Sequence, residues 1–171
     1  TNAMVYIRGQ HADYDHWAAM GNPGWAWDDV LPYFRRAERN ERLHDEWHGQ
    51  TGSLNVADLQ SPNVFSRRFV DAAVQAGFAH NDDFNGASQE GVGLYQVTQR
   101  RGERFSAAKA YLGPALGRPN LQVITDAHVT RIVMQGRRAT GVEYQRDGER
   151  TDARRGHEEP VAGRAHVEHV A

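Results

Sequence analysis

At Asn120 the chain changes its hydrophobic rhythm, and this switch limits the folds open to it more than any other feature. Before it, apolar residues recur at helical spacing. Val64, Phe65, Phe69, Ala72, Ala73, Val74 and Ala76 follow Ser61-Pro62 and stop at Gly77, which describes one amphipathic helix. After it, apolar and polar residues alternate in Leu121-Gln122-Val123-Ile124-Thr125, in Val129 to Met134 and in Thr140 to Tyr144. Gln135-Gly136-Arg137-Arg138 and Arg146-Asp147-Gly148-Glu149 read as hairpin connections, the second carrying an Asp-Gly pair suited to a tight turn. Helices and loops followed by an antiparallel three-stranded β-meander place the chain in the α+β class.

The helical half is punctuated by turns. Asp13 is expected to cap a helix through Tyr14, Trp17 and Ala18 that Gly21 ends. Asp28 is expected to cap a second, carrying Val30, Leu31 and Phe34 on one face, with Pro32 in its first turn. Residues 40–60 are polar and rich in glycine, which reads as a long surface connection. Gly91-Val92-Gly93 leads into a strand-like Leu94 to Thr98, and Ser106 to Leu112 reads as a short helix ended by Gly113-Pro114. From Ala153 both rhythms disappear, and that tail is expected to be poorly ordered.

With 171 residues and no cysteine, the chain can bury a core without disulfides, and thiol catalysis, zinc-thiolate sites and iron–sulfur clusters are excluded. The net charge is −2, with acidic and basic residues interleaved, so no nucleic-acid interface is expected. No stretch of about 18 apolar residues suggests a membrane span. No H-E-x-x-H or comparable spacing suggests a metal site, and His11, His16, His44, His48 and His80 read as residues of polar loops or helix surfaces.

Several segments carry a resemblance. Thr1-Asn2-Ala3-Met4-Val5-Tyr6-Ile7-Arg8-Gly9, Asp13-Tyr14-Asp15-His16-Trp17, Gly24-Trp25-Ala26-Trp27 and Leu31-Pro32-Tyr33-Phe34 are similar to the glucose–methanol–choline (GMC) oxidoreductases. His48-Gly49, Tyr95-Gln96-Val97-Thr98, Arg104-Phe105-Ser106-Ala107-Ala108 and Arg118-Pro119-Asn120-Leu121 continue it in order to about residue 153, resembling bacterial choline dehydrogenases and acceptor-linked alcohol dehydrogenases.

The resemblance implies an internal fragment of a longer enzyme with an incomplete GMC-type FAD-binding fold. Residues 1–10 would belong to the flavin-contacting segment, 11–115 to the lid and substrate domain, and 116–153 to the meander of the FAD domain. Residues 154–171 would be a disordered or out-of-frame tail. The parent would oxidise a primary alcohol, choline-like or aliphatic, by hydride transfer to FAD. Electrons would pass to a quinone, another acceptor or oxygen, in a cytoplasmic or membrane-associated enzyme.

Asn2, Ala3, Met4 and Val5 match the segment beside the flavin, and Val129 matches the strand position whose backbone meets the adenine. Tyr95 and Gln96 would lie near the substrate cavity, and the tryptophans Trp17, Trp25, Trp27 and Trp47 would serve packing. No residue matches the family's catalytic histidine, and no G-x-G-x-x-G turn for a pyrophosphate is present in the chain. The fragment is therefore expected to be inactive alone. The alternative is a free-standing, non-catalytic binding or structural domain built on the same elements.

Overall fold

A computed structural model describes residues 3–154 of the chain. They fall into two units, residues 3–121 and 122–154, each described by itself.

In the first unit, α1 (His11–Ala19) and α2 (Trp27–Ala37) start in the same manner. The carboxylate of Asp13 accepts from the Gln10 amide (2.8 Å), and that of Asp29 accepts from the Ala26 amide (3.2 Å). Each acid thus sits at the third helical position and reaches back, so neither Asp13 nor Asp28 is the cap residue itself. Pro32 is correspondingly past the first turn of α2. Asp15 links the helices by accepting from the Trp27 amide at 2.9 Å.

Residues 40–60 are only partly a surface connection. Helix α2 runs directly into β1 (Glu38–Asn40), which pairs in parallel with β2 (Leu54–Val56). Alternation turns Glu38 and Asn40 inward and leaves Arg39 outside. The loop between the strands folds back so that His48 and Gly49 are buried. Glu41, Arg42, His44, Asp45, Glu46, Gln50 and Thr51 stay exposed as the polarity suggested, whereas His48 and Gly49 bond to Glu38 of β1.

Helix α3 (Val64–Gln75) occupies the segment its periodicity predicts. It is capped by Asn63, whose side chain accepts from the Phe65 amide, rather than by Ser61. Val70 is buried, whereas Phe65 and Phe69 are 71% and 69% exposed. The short ribbon β3 (Gln99–Arg100) and β4 (Glu103–Arg104) precedes a wide helical turn, Ala108–Leu112. That turn continues into α4 (Gly113–Ala115) instead of stopping at Gly113, because Pro114 sits where a helix's opening turn tolerates it.

In the second unit β5 (His128–Gln135), β6 (Arg138–Arg146) and β7 (Glu149–Arg154) form an antiparallel sheet in that order. Both anticipated turns are present, and Asp147 and Gly148 adopt φ values of 52° and 83°. The strand expected at Leu121–Thr125 is not one, and the third strand lies on the far side of the Asp-Gly turn. Asp126, with φ of 57°, interrupts the extended course after Thr125. Strand β7 is polar, so apolar alternation could not reveal it; the hairpin brings it into register, with Thr151 opposite Tyr144 and Ala153 opposite Val142. Glu143 bridges Arg131 of β5 and Arg150 of β7 across one face. Ala153 and Arg154 thus belong to a strand, while the rest of the expected disordered tail lies outside the described residues.

At Gly49 a Cβ would stand 1.9 Å from the Arg35 carbonyl oxygen. Gly49→Ala should therefore cost about 3 kcal/mol by overpacking. Gly117→Ala, with nothing within 4 Å, should stay within about 0.5 kcal/mol. Urea unfolding of the two variants compares them directly.

Candidate functional site

Residues 4–8 run extended across the first unit as a strap whose backbone is bonded along its length. The Met4 carbonyl accepts from the Thr98 amide (2.8 Å), and the Tyr6 amide donates to the Gln96 carbonyl (2.9 Å). Asn85 grips the strap twice: its Nδ2 donates to the Tyr6 carbonyl (3.0 Å) and its Oδ1 accepts from the Arg8 amide (2.7 Å). Gln89 Nε2 donates to the Arg8 carbonyl. Met4 has φ of 62°, a conformation that non-glycine residues adopt where their surroundings impose it.

Beneath the strap lies a buried ionic cluster. The Glu38 side chain is fully enclosed and accepts from Arg8 Nη2 (2.6 Å), His48 Nδ1 (3.1 Å), Asn40 Nδ2 (2.8 Å) and the Gly49 amide (3.0 Å). His48 Nε2 donates to Asp83 Oδ2 at 3.0 Å, and Asp83 Oδ1 accepts from the Asn85 amide at 2.9 Å. The chain of bonds therefore closes on itself: Arg8 side chain, Glu38, His48, Asp83, Asn85, and back to the Arg8 backbone. Asn40 extends the cluster to Gln96 Oε1 (2.7 Å), and Gln96 Nε2 donates to Asp58 (2.8 Å).

Burial alone would raise the Glu38 pKa, but the hydrogen bonds from His48, Asn40 and the Gly49 amide outweigh it and hold it below the usual carboxylate value. Burial likewise opposes ionisation of Asp83, yet its bond to His48 holds its pKa down. For His48, burial favours the neutral ring, and the bonds to Asp83 and Glu38 overcome it and raise the pKa to about 9. His48 is thus an imidazolium with both N–H groups engaged, unavailable as a base near neutral pH. One oxygen each of Asp45 and Asp83 lies with a His48 nitrogen inside a 4.8 Å group, in which His48 Nε2 faces Asp83 Oδ2 at 3.0 Å.

Among the sequence candidates, Met4 and Val5 lie on the strap, Ala3 immediately precedes it, and Asn2 lies outside the described residues. Val129 lies in the second unit on β5, an edge strand of its three-stranded sheet, and is 52% exposed. Tyr95 packs on Phe84 at 4.8 Å and lines an open cleft of about 670 Å³ with Leu94, Pro62 and Arg67. Gln96 does not line that cleft; it is buried in the polar cluster. Trp27 is buried and stacks on His11 at 3.9 Å, while Trp17 and Trp25 meet edge-on at 5.8 Å and remain half-exposed.

The expectation that His48 belongs to an exposed loop is wrong, and the role of Glu38 was missed entirely. A glutamate after a helix reads as solvated, and only its position on an inward register of β1 buries it. The one sequence signal was indirect, since Gly49 and Gly52 around His48 mark a backbone packed too closely for any Cβ.

The chain matches the GMC oxidoreductase family over residues 1–164. It is 46% identical over 144 residues to an alcohol dehydrogenase [acceptor] from Pseudomonas putida, covering 84% of this chain and 26% of that protein. It is 49% identical over 147 residues to an oxygen-dependent choline dehydrogenase from Sinorhizobium fredii, covering 86% and 27%. Among solved structures, pyridoxine 4-oxidase from Mesorbium loti superposes with a TM-score of 0.79 at 29% identity, over 90% of this chain and 31% of that one. An FAD-dependent oxidoreductase from Chaetomium thermophilum gives a TM-score of 0.81 at 27% identity, over 91% and 29%. This chain belongs to the GMC oxidoreductase family, and it spans roughly a quarter to a third of the length of these relatives.

The cluster sets a pH profile for stability. The raised His48 pKa contributes stability that is complete below about 6.5 and lost as pH rises through about 9. The lowered Glu38 and Asp83 values contribute above about 4.5 and are lost in acid. Thermal melts followed by circular dichroism should show the highest Tm between about pH 4.5 and 6.5 and an alkaline decline that flattens in His48→Gln.

Proposed function

We propose that this chain is the flavin-contacting and cavity-wall portion of an FAD-dependent oxidoreductase that oxidises a primary alcohol, choline-like or aliphatic, to the aldehyde. The single observation that carries the reading is the strap, which lies within the residues that the family matches. The backbone groups of Met4, Tyr6 and Arg8 are bonded inward, whereas Val5 and Ile7 are 43% and 46% exposed and Ala3 is exposed beside them. Such a surface suits the apolar edge of a flavin ring and offers nothing cationic to a pyrophosphate. The residues present therefore fit the ring end of FAD and leave its phosphates to other sequence. Val129, on the open edge of its sheet, is proposed to meet the adenine through backbone groups, which an edge strand has free to offer.

On this reading residues 1–10 belong to the FAD domain, 11–115 to the lid and substrate domain, and 116–153 to the FAD domain again. When bound, FAD supplies the hydride acceptor. The strap fixes where that ring can lie, and Ala3, Val5 and Ile7 keep water from its edge. Tyr95 and Leu94 form part of the cavity wall. His48 is not free to take the alcohol proton, because its two nitrogens face Glu38 and Asp83 at 3.1 and 3.0 Å. The proton acceptor is therefore proposed to come from sequence beyond this chain, as are the residues that choose the substrate. Electrons would pass on to a quinone, another acceptor or oxygen; the printed names of the relatives include both an acceptor-linked and an oxygen-dependent enzyme.

A free-standing structural domain is the weaker reading, because Phe65 and Phe69 present a broad apolar face on α3 that an independent domain would be expected to cover. The test is flavin fluorescence titrated with the purified chain, paired with an acceptor-reduction assay on choline and aliphatic alcohols. Quenching should weaken about tenfold in Val5→Glu, equivalent to about 1.4 kcal/mol, and no acceptor reduction above a free-FAD blank should appear. Turnover by the isolated chain, or quenching indifferent to Val5→Glu, would overturn the reading.

A further inference from the structure

The closed ring of hydrogen bonds begins and ends on Arg8, and this gives it a mechanical meaning that an ordinary buried ion pair lacks. One arm holds the Arg8 side chain, through Glu38 Oε2 at 2.6 Å and the Trp47 carbonyl at 2.8 Å. The other holds the Arg8 backbone, through Asn85 Oδ1 at 2.7 Å. The arms join through His48 and Asp83, by the contacts of 3.1 Å to Glu38 and 3.0 Å to Asp83, and by a longer contact of 3.5 Å from Arg8 Nη1 to the Asn85 carbonyl. Asp83 also orients Asn85, the residue that grips both Tyr6 and Arg8. No member of the ring is on the outer face of the strap. Its action on anything docked there is indirect, through the backbone course from Met4 to Arg8.

We propose that His48 is a positioning residue, which by joining Glu38 to Asp83 locks the strap from Met4 to Arg8 in the conformation presented to the cofactor. The proposal rests on the reading that the strap meets the flavin, but its test does not need flavin. The charged groups around the imidazole are Glu38 from β1, Asp83 from the loop that carries Asn85, Asp45 from its own loop at 3.9 Å, and Arg8 beyond Glu38. Two carboxylates face its two nitrogens, so the arms are tied by charge as well as by geometry. Loss of the imidazolium proton, whose pKa stands at about 9, removes one tie.

Trypsin reads the strap directly, because Arg8 is 6% exposed and cleavage after it requires the strap to lift. The intact 171-residue chain is digested briefly, and mass spectrometry compares initial cleavage after Arg8 with cleavage after Arg68 in α3. Asp83→Asn keeps an acceptor for the Asn85 amide but removes the charge opposite His48. It should raise cleavage after Arg8 about tenfold relative to Arg68. In the unsubstituted chain the same ratio should rise between pH 7 and 9.5, and in His48→Gln it should be high and flat across that range. Equal acceleration at both sites would mean a merely structural role, and an unchanged ratio would mean no role; either overturns the proposal. Should His48→Gln fail to fold, Asp83→Asn and the pH profile of the unsubstituted chain decide the matter. Failure of the flavin titration with an intact trypsin result would overturn the cofactor reading while leaving the lock in place.

Discussion

Glu38 is a carboxylate with no access to water, and the first unit is arranged around supplying it with partners. Enclosing a charge of this kind costs several kcal/mol unless its oxygens are fully bonded. Four donors from three places in the chain meet that demand: Arg8 on the strap, Asn40 on the same strand, and His48 and Gly49 in the loop between β1 and β2. Removing one would leave the others with uncompensated charge, which is why such clusters are costly to break, about 3–5 kcal/mol for a lost partner. The bonds therefore specify one arrangement of strap, strand and loop rather than merely adding to stability.

That arrangement explains the character of the core. Val56 and Val97 are nearly inaccessible, and around them sit Asn40, Asn55, Asn85 and Gln96, all buried and all bonded. Asn55, for instance, donates to Glu41 and to the Gln99 carbonyl. Apolar packing would hold the segments together without fixing their register. Amides that must each find a particular carbonyl fix it, because a shift by one residue would strand several buried donors at once.

The same logic connects fold to function. A strap that presents apolar side chains outward needs its backbone satisfied on the inner side, and residues 85, 89, 96 and 98 do this. The left-handed turn at Met4 is held by both the amide and the hydroxyl of Thr98 on its carbonyl. Rigidity of this kind suits a surface that orients a large planar ring, since ordering cost is met by the fold before any ligand arrives. The exposed phenylalanines of α3 show the complementary situation, an apolar face that the first unit makes but does not itself cover.

Local sequence determined the elements whose cause is local. Helix α3 follows from its apolar spacing, and the β6–β7 turn from Asp147-Gly148, which tolerate positive φ. The change of rhythm at Asn120 separated a helical half from a sheet, and an unbroken series of motifs identified the family. Strand β7 escaped notice because it is polar and exists only as the partner of β6. Glu38, His48 and Asp83 escaped for a deeper reason: a charged residue reads as exposed until every partner is known, and theirs lie 10 to 35 residues apart. Periodicity can say which residues face inward along one element, but only the tertiary structure brings distant charges within 3 Å of each other and so makes a buried ionic ring stable.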